Sequence, residues 1–406
     1  MSQKKVLVVS AGIFPIPANR GGAVEELIDI FAEKNAIDNR YDVSITSCDY
    51  QGREIKEKTD GVTYFYFKTP FFVAAFDKVY YFYINKILKD WRSMFRQHLF
   101  SNRYYAYQIT KRLDLRQFDV IVVQNNMSLL ETLAREMGEE FDKKCIYHMH
   151  SNLVDNKDMI PYLSRCRKIL AVSDYVRNHL YETVPEFQNT VIEKVTNGVP
   201  IKAYSNQERA DIRKQMRAQY GIADDETVYL FLGRISPEKG VLEMIRAFAK
   251  TIPELQHRSR LIIVGSSVSG SNEETHYYRQ IKRVANAHTD EVILTGYIDH
   301  TIITRYHLMS DVQIVPSVFD DPAPLTVLEG MAMGVFLLLS RVGGIPEYSS
   351  DYENKIFFER DDMLEQHIAE AILTYDGVYA PHKYEPKPVI FDENTFYKEL
   401  AEAIDI

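Results

Sequence analysis

The stretch VYLFLGRISPEKGVLEMIRAFAK, residues 228–250, is the key to the fold. It opens on Val228–Leu232, an apolar and aromatic run without a charge, which suits a strand covered on both faces, as parallel strands are. Gly233 ends the run. A polar loop then presents Arg234 and Lys239, and Glu238–Lys250 carries apolar residues at helical spacing. Strand, loop and helix in that order make half of a βαβ unit.

The same alternation extends outward in both directions. Towards the N-terminus, strands are expected at Val6–Val9, Val43–Ser47, Val62–Phe67, Val120–Val123, Cys145–Met149 and Ile169–Val172. Towards the C-terminus they are expected at Leu261–Val264, Val292–Leu294, Val312–Val315 and Val335–Leu339. Helical patterns such as Gly22–Glu33 and Leu325–Met333 lie between them. This is an α/β protein, and 406 residues are too many for one ordinary core. The pattern restarts after the turn Asn197-Gly198-Val199-Pro200, which leads into a polar helix over Asn206–Tyr220. We therefore expect doubly wound domains over residues 1–203 and 204–388, with a terminal helix in 389–406 that crosses back to the first domain. Domains of this kind face a cleft at the C-terminal edges of their sheets, where ligands usually bind.

Composition narrows the function classes. Cys48, Cys145 and Cys166 are too few and too scattered for a disulfide framework or a zinc cluster, which suits a reducing, cytoplasmic setting. The lysines and apolar run at the N-terminus mimic a signal peptide, but Pro15, Pro17, Asn19 and Arg20 break the run, so a buried strand is expected. No run of apolar residues is long enough to span a membrane. The net charge of −9 hides an asymmetry: residues 68–112 hold nine Lys/Arg against two Asp, a local +7 that leaves −16 elsewhere. An acidic protein with one basic belt is a poor general nucleic-acid binder.

Four constellations can carry chemistry. Arg234 and Lys239, at a strand end beside a helix N-terminus, suit a diphosphate: the guanidinium forks two oxygens and the ammonium is a mobile point charge. The competing reading is an exposed loop with two solvated cations. Asp321 precedes a proline-held turn and Glu329 lies just over a turn inside the next helix. These carboxylates suit sugar and ribose hydroxyls, while the N–H groups of Leu325 and Thr326 face a phosphate. Ordinary capping of a helix by acids is the alternative. The loop Gly12–Glu25 brings a glycine pair to a helix start, either for close approach to a ligand or as a plain turn. Its order differs from the dinucleotide fingerprint Gly-x-Gly-x-x-Gly. His148 and His150 end a strand on one face, and no further ligands at metal spacing accompany them. A histidine donating to a substrate oxygen, or a buried structural histidine, fits better than zinc.

Taken in order, these pieces resemble the retaining glycosyltransferases of family 4, which have two Rossmann-like domains in the GT-B fold. The motifs are Gly21-Gly22, His150-Ser151, Val172-Ser173, Asn197-Gly198-Val199, Gly233-Arg234 with Lys239-Gly240, Asp321 with Glu329, and Gly343-Gly344-Ile345-Pro346-Glu347. The resemblance covers most of the chain and is densest from Val228 to Glu347. It implies that Arg234 and Lys239 neutralise the departing diphosphate with help from the Leu325 and Thr326 amides. It further implies that Glu329 holds the ribose, Asp321 touches the transferred sugar, and His150 sits near its reacting face. Gly22 would border the phosphate or acceptor, and backbone around Gly296-Tyr297 would receive the base. In that family the first acid is usually glutamate; Asp321 is one methylene shorter. The implied enzyme passes a sugar, from a UDP-sugar by preference, to a glycan, glycoprotein or lipid-linked acceptor in surface-glycan synthesis. Neither a metal nor a cofactor is expected, because Arg234 and Lys239 replace the cation and no Asp-x-Asp pair follows a strand. The alternatives are a nucleotide-sugar epimerase of the same architecture and a non-catalytic partner subunit of a transferase.

The segment Tyr64–Tyr107 stands apart, with seventeen of the chain's 49 aromatic residues set among the basic belt. It reads either as core helices with snorkelling Lys and Arg, or as a platform at 68–112 for membrane or lipid-linked acceptor at the inner face of a membrane.

Overall fold

The computed structural model describes residues 3–18, 22–48, 56–84, 98–153, 157–200, 202–267, 274–378 and 391–405. They form two compact units, the first comprising Met1–Thr196 with Phe396–Ile406 and the second Asn197–Thr395. The division falls at Asn197 rather than at residue 204. Asn197 is held from the second unit: its N–H donates to the Tyr348 hydroxyl at 2.9 Å and its amide to the Ala323 carbonyl at 3.2 Å.

The first unit holds a sheet of eight strands: β1 (Lys4–Val9), β2 (Tyr41–Cys48), β3 (Lys56–Thr59), β4 (Val62–Phe67), β5 (Val120–Gln124), β6 (Cys145–Met149), β7 (Lys168–Ala171) and β8 (Ile192–Lys194). Their order is β3-β4-β2-β1-β5-β6-β7-β8, and all pairings are parallel except β3 with β4. The second unit holds β9 (Thr227–Leu232), β10 (Ser259–Val264), β11 (Val292–Gly296), β12 (Val312–Val315), β13 (Phe336–Ser340) and β14 (Lys355–Phe358). They run in the order β11-β10-β9-β12-β13-β14, parallel throughout. Both sheets are doubly wound, and the strand order reverses at β1/β5 and at β9/β12. At such switch points the loops at the strands' carboxyl ends part and leave room for a ligand.

Burial explains the strands that were readable and those that were not. β9 is buried at every residue, as a strand covered on both faces must be. β3, with the sequence KEKT, is exposed throughout, and charged edge strands carry no hydrophobic signature. β8, Ile192–Lys194, is short and mostly charged in the same way, whereas β14, Lys355–Phe358, is apolar at three of its four residues and is hidden by its shortness.

The terminal helix Glu393–Asp405 packs Phe396, Leu400, Ala401 and Ile404 into the core of the first unit, against Phe31 and the β1–β2 region. Polar contacts lock it there. Asp405 pairs with Lys4 at 2.9 Å and Arg40 at 2.5 Å, and the Tyr41 hydroxyl donates to the Ala401 carbonyl at 2.9 Å.

Candidate active site

Within the second unit, the loops that leave β9 and β12 at the switch point carry the charged candidates. Gly233 closes β9, its N–H donating to the Val264 carbonyl at 3.1 Å. The neighbouring Gly265 has φ +148, and a Cβ there would stand 1.8 Å from the Gly233 carbonyl, so glycine is required where these strand ends meet. The expected helix over Glu238–Lys250 instead starts at Val241, after a short 3-10 turn at Pro237–Lys239. Gly240 separates them in the left-handed region, φ +66, with the Pro316 carbonyl 1.9 Å from where a Cβ would be. Lys239 is thereby aimed at the loop after β12 rather than along a helix.

There Lys239 meets Asp321, Nζ to Oδ2 at 2.5 Å, and lies over the Phe319 ring at 4.9 Å. The sequence reading gave the two residues separate partners, a phosphate and a sugar; in the folded chain each is the other's. Asp321 is buried and its backbone is clamped, the N–H donating to the Phe319 carbonyl and the carbonyl accepting from Gly344 N–H, both at 2.9 Å. Gly343 makes this approach possible, since a Cβ there would sit 2.2 Å from the Asp321 carbonyl. Arg234 is exposed, and its nearest described carboxylate is Glu238 at 3.4 Å. Among the described residues, the buried hydroxyls of Ser236 and Ser317 find no hydrogen-bond partner. Buried polar groups are usually paired, so these mark places where a ligand oxygen would be welcome. No sequence signal had singled them out.

The helix Leu325–Met333 spans the expected residues. By helix geometry the N–H groups of Leu325 and Thr326 have no intrahelical acceptor, and the N-terminus favours an anion. Glu329, one turn further, accepts from His300 Nε2 at 2.8 Å, with His307 Nε2 at 3.7 Å. Burial raises the Glu329 carboxyl, but the two histidines outweigh it and hold it down at about 2. It is therefore a fixed carboxylate acceptor. Neither histidine was anticipated. Tyr297 follows Gly296, which ends β11 at φ +76 and accepts from Gly265 N–H at 3.0 Å.

Gly22 and His150 belong to the first unit. Gly22 caps the helix Ala23–Asp38 at φ +122, and a Cβ there would lie 2.3 Å from Glu25 Oε2. Burial pushes Glu25 up to about 7. Gly21 lies outside the described residues. His150 leaves β6: its N–H donates to Asn125 Oδ1 at 3.0 Å and its Nε2 lies 2.9 Å from Gln124 Oε1. Asn125 adopts φ +45, a conformation asparagine tolerates, and so places its amide under the His150-Ser151 turn. Burial pushes His150 down to about 3, leaving a neutral imidazole. His148 is fully buried, 4.0 Å ring to ring from His150, and neither of its nitrogens has a partner among the described residues. Among the described residues no group of three or more His, Cys, Asp or Glu could hold a metal ion.

Residues 212–377 match the family model described as glycosyl transferases group 1. With two doubly wound units and a charged loop pair at the second switch point, the chain is a glycosyltransferase of the GT-B fold carrying a group 1 domain. Its relatives include the lipopolysaccharide 1,2-N-acetylglucosaminetransferase of Salmonella typhimurium, 26% identical over 357 residues and covering 86% of this chain and 83% of the relative. In fold it is similar to a glycosyltransferase from Rickettsia africae, with TM-score 0.68, 14% identity, and 100% and 98% of the two chains covered. It is also similar to Anabaena Alr3699/HepE in complex with UDP and glucose, with TM-score 0.65, 16% identity, and 99% and 100% covered.

Proposed function

We propose that this chain is a retaining, metal-independent glycosyltransferase of family 4 that moves a sugar from a nucleotide-sugar, UDP-linked by preference, to a glycan, glycoprotein or lipid-linked acceptor in surface-glycan synthesis. The observation that carries this reading is the Lys239–Asp321 pair beside Arg234 and the N-terminus of Leu325–Met333, at the switch point of the second sheet. Two cations and free helix N–H groups suit a diphosphate leaving group. A buried carboxylate next to them suits sugar hydroxyls, and Glu329, held ionised, suits a ribose. The UDP and glucose complex of HepE and the N-acetylglucosaminetransferase activity in the Salmonella relative's name favour the UDP-sugar donor and the surface-glycan role.

In the proposed reaction the acceptor hydroxyl attacks the anomeric carbon from the face of the departing diphosphate. The bond from that carbon to the diphosphate oxygen breaks, the bond to the acceptor oxygen forms, and the hydroxyl proton passes to a diphosphate oxygen. The protein contributes orientation and charge stabilisation. His150 is neutral with its Nε2–H engaged by Gln124 Oε1, so near the reacting face its Nδ1 accepts from a substrate hydroxyl instead of donating, and Gly22 borders the phosphate or acceptor. Tyr297 backbone receives the base.

The test is nucleotide release from UDP-, GDP- and dTDP-sugars in EDTA, with Arg234→Ala and Lys239→Ala beside the wild type. One donor should be hydrolysed slowly in the wild type, and each substitution should lower the rate on the order of 10²–10³-fold. Full turnover in both variants, or a strict need for a divalent cation, would overturn the assignment. An isomerised sugar released without acceptor would identify an epimerase instead.

A further inference from the structure

The helix Phe71–Phe82 is turned inside out. A surface helix ordinarily hides its apolar stripe against the core. Here the described buried positions are Val73 and Asp77, while Phe71, Phe72, Phe76, Val79 and Phe82 are 87, 62, 61, 67 and 60% exposed. Phe72, Phe76, Val79 and Tyr83 follow i, i+4, i+7 and i+11, so they line one stripe, with Phe71, Lys78 and Phe82 beside it. Single exposed hydrophobic residues are ordinary on protein surfaces, but a contiguous aromatic face is not.

The helix is held in this rotation by its acid. Asp77 Oδ1 accepts from Phe100 N–H at 2.8 Å, and Oδ2 from Ser101 N–H at 3.0 Å and from the Ser101 hydroxyl. The carboxylate thus covers the start of the helix Leu99–Arg112, where a negative charge is favoured. Rolling the phenylalanines inward would pull Asp77 off these donors. The second helix is anchored in turn: the buried Tyr105 hydroxyl lies 2.9 Å from Ser10 Oγ, just past β1, and donates to Thr46 Oγ1 in β2 at 2.7 Å. The aromatic face is therefore a fixed part of the first unit, braced against the carboxyl ends of its central strands.

Charge says what fits that face. Among the described residues of 68–84 and 98–112, the one carboxylate, Asp77, is buried, and the exposed charges Lys68, Lys78, Arg103, Lys111 and Arg112 are all cationic. Lys111 pairs with Glu136 at 3.3 Å; no described carboxylate lies within ion-pair distance of the other four. A second copy of this chain would set the +7 of residues 68–112 against another +7. An exposed aromatic stripe with Lys78 on the same helix and Lys68 just before it instead matches the boundary of an anionic bilayer, with rings among the acyl ends and cations on the phosphates. At 12 residues, the helix can lie in that plane but is too short to cross it.

We propose that the face of Phe71–Phe82 formed by Phe72, Phe76, Val79 and their neighbours is a docking surface for an anionic lipid bilayer. The inference stands apart from the transferase reading, because nothing in it uses the donor site.

The test is flotation of the full chain with vesicles of phosphatidylcholine alone and with vesicles in which part of the phosphatidylcholine is replaced by anionic phosphatidylglycerol. The wild type should float with the anionic vesicles and bind the neutral ones at least about tenfold more weakly. Phe72→Ser with Phe76→Ser should reduce anionic binding about tenfold or more, and Lys78→Ala about fivefold. The melting curves and donor hydrolysis of these variants should match the wild type, which separates lost docking from lost folding. Absence of flotation with either vesicle, indifference to lipid charge, or equal binding by the well-folded double variant would overturn the proposal. So would a dimer dispersed by the same two substitutions without any vesicle binding, which would make the face a protein interface.

Discussion

Lys239 Nζ and Asp321 Oδ2 stand 2.5 Å apart and join the loop after β9 to the loop after β12. Asp321 is the rigid partner, buried and clamped through its own backbone. Lys239 is the adjustable one, half-buried on a flexible stem. On the proposed reading, an incoming diphosphate competes with Asp321 for the ammonium. Asp321→Asn should then tighten nucleoside-diphosphate binding several-fold, on the order of 1 kcal/mol for a partly exposed pair, while kcat falls. Calorimetry with UDP beside steady-state rates reads both. Weaker UDP binding would show that the carboxylate orients the lysine instead of competing for it.

Gly343 tests how closely Asp321 must be placed. Its φ is +55, and a Cβ would meet the Asp321 carbonyl at 2.2 Å, so Gly343→Ala has to displace that loop. A shift of about 1 Å in a positioning group can cost on the order of 10² in rate, and kcat should fall by about that much. Gly61 has φ +82 with nothing within 4 Å of its would-be Cβ, so Gly61→Ala carries the strain without the clash. It should lower the melting temperature slightly and leave kcat unchanged. Equal kcat for both variants would remove Gly343 from the site's support.

Acid should weaken the first unit through its histidines. His150 is held at about 3 by burial, against 6.5 for a free imidazole. The unfolded chain therefore takes up a proton below pH 6.5 that the folded chain refuses until about pH 3. The stability is present above pH 6.5 and is lost as pH falls through that window. Between pH 7 and pH 5, His150 should account for about 2 kcal/mol of lost stability. His148, pushed well below its usual value by burial and by His150, acts in the same direction. Urea unfolding of wild type and His150→Gln at pH 7, 6 and 5 should show a flatter profile for the variant; parallel profiles would mean that the imidazole is not held neutral.

Arg217 anchors the start of the second unit. Its buried guanidinium donates to the Met309 carbonyl at 3.2 Å, the Ala223 carbonyl at 3.0 Å, the Glu226 carbonyl at 2.8 Å and Asp311 Oδ2 at 2.7 Å. Removing it strands those acceptors, and Arg217→Ala should cost about 3–5 kcal/mol. Arg213, more exposed on the same aspartate, should cost about 1 kcal/mol or less as Arg213→Ala. Denaturant midpoints of the two variants decide it, and similar values would contradict this account.

The central strands and the loops at their ends were legible because the information is local. A run such as Val228–Leu232 followed by Gly233 writes a covered strand and a turn directly into consecutive residues. The glycine positions, the cations at 234 and 239 and the helix at Leu325 could be read in the same way. What local pattern could not supply was the company each residue keeps. Lys239 and Asp321 become partners because strand order sets β9 beside β12 and Gly240 turns the lysine across. His300 and His307 reach Glu329 from a different stretch of chain, so nothing near Glu329 announced them. The edge strands β3 and β8 escaped notice because an edge need not be apolar, and β14 because four residues are too few to write a pattern. The direction of the aromatic helix was equally beyond local reading. Its composition suited a core helix as well as a surface one, and only the capture of Asp77 by Phe100 and Ser101 turned the phenylalanines outward. Sequence alone determined the central strands, the turns that end them and the chemistry their loops carry, because propensity and burial act within a few residues. Tertiary structure decided which of those groups meet, because strand order and long-range hydrogen bonds join residues far apart in the chain.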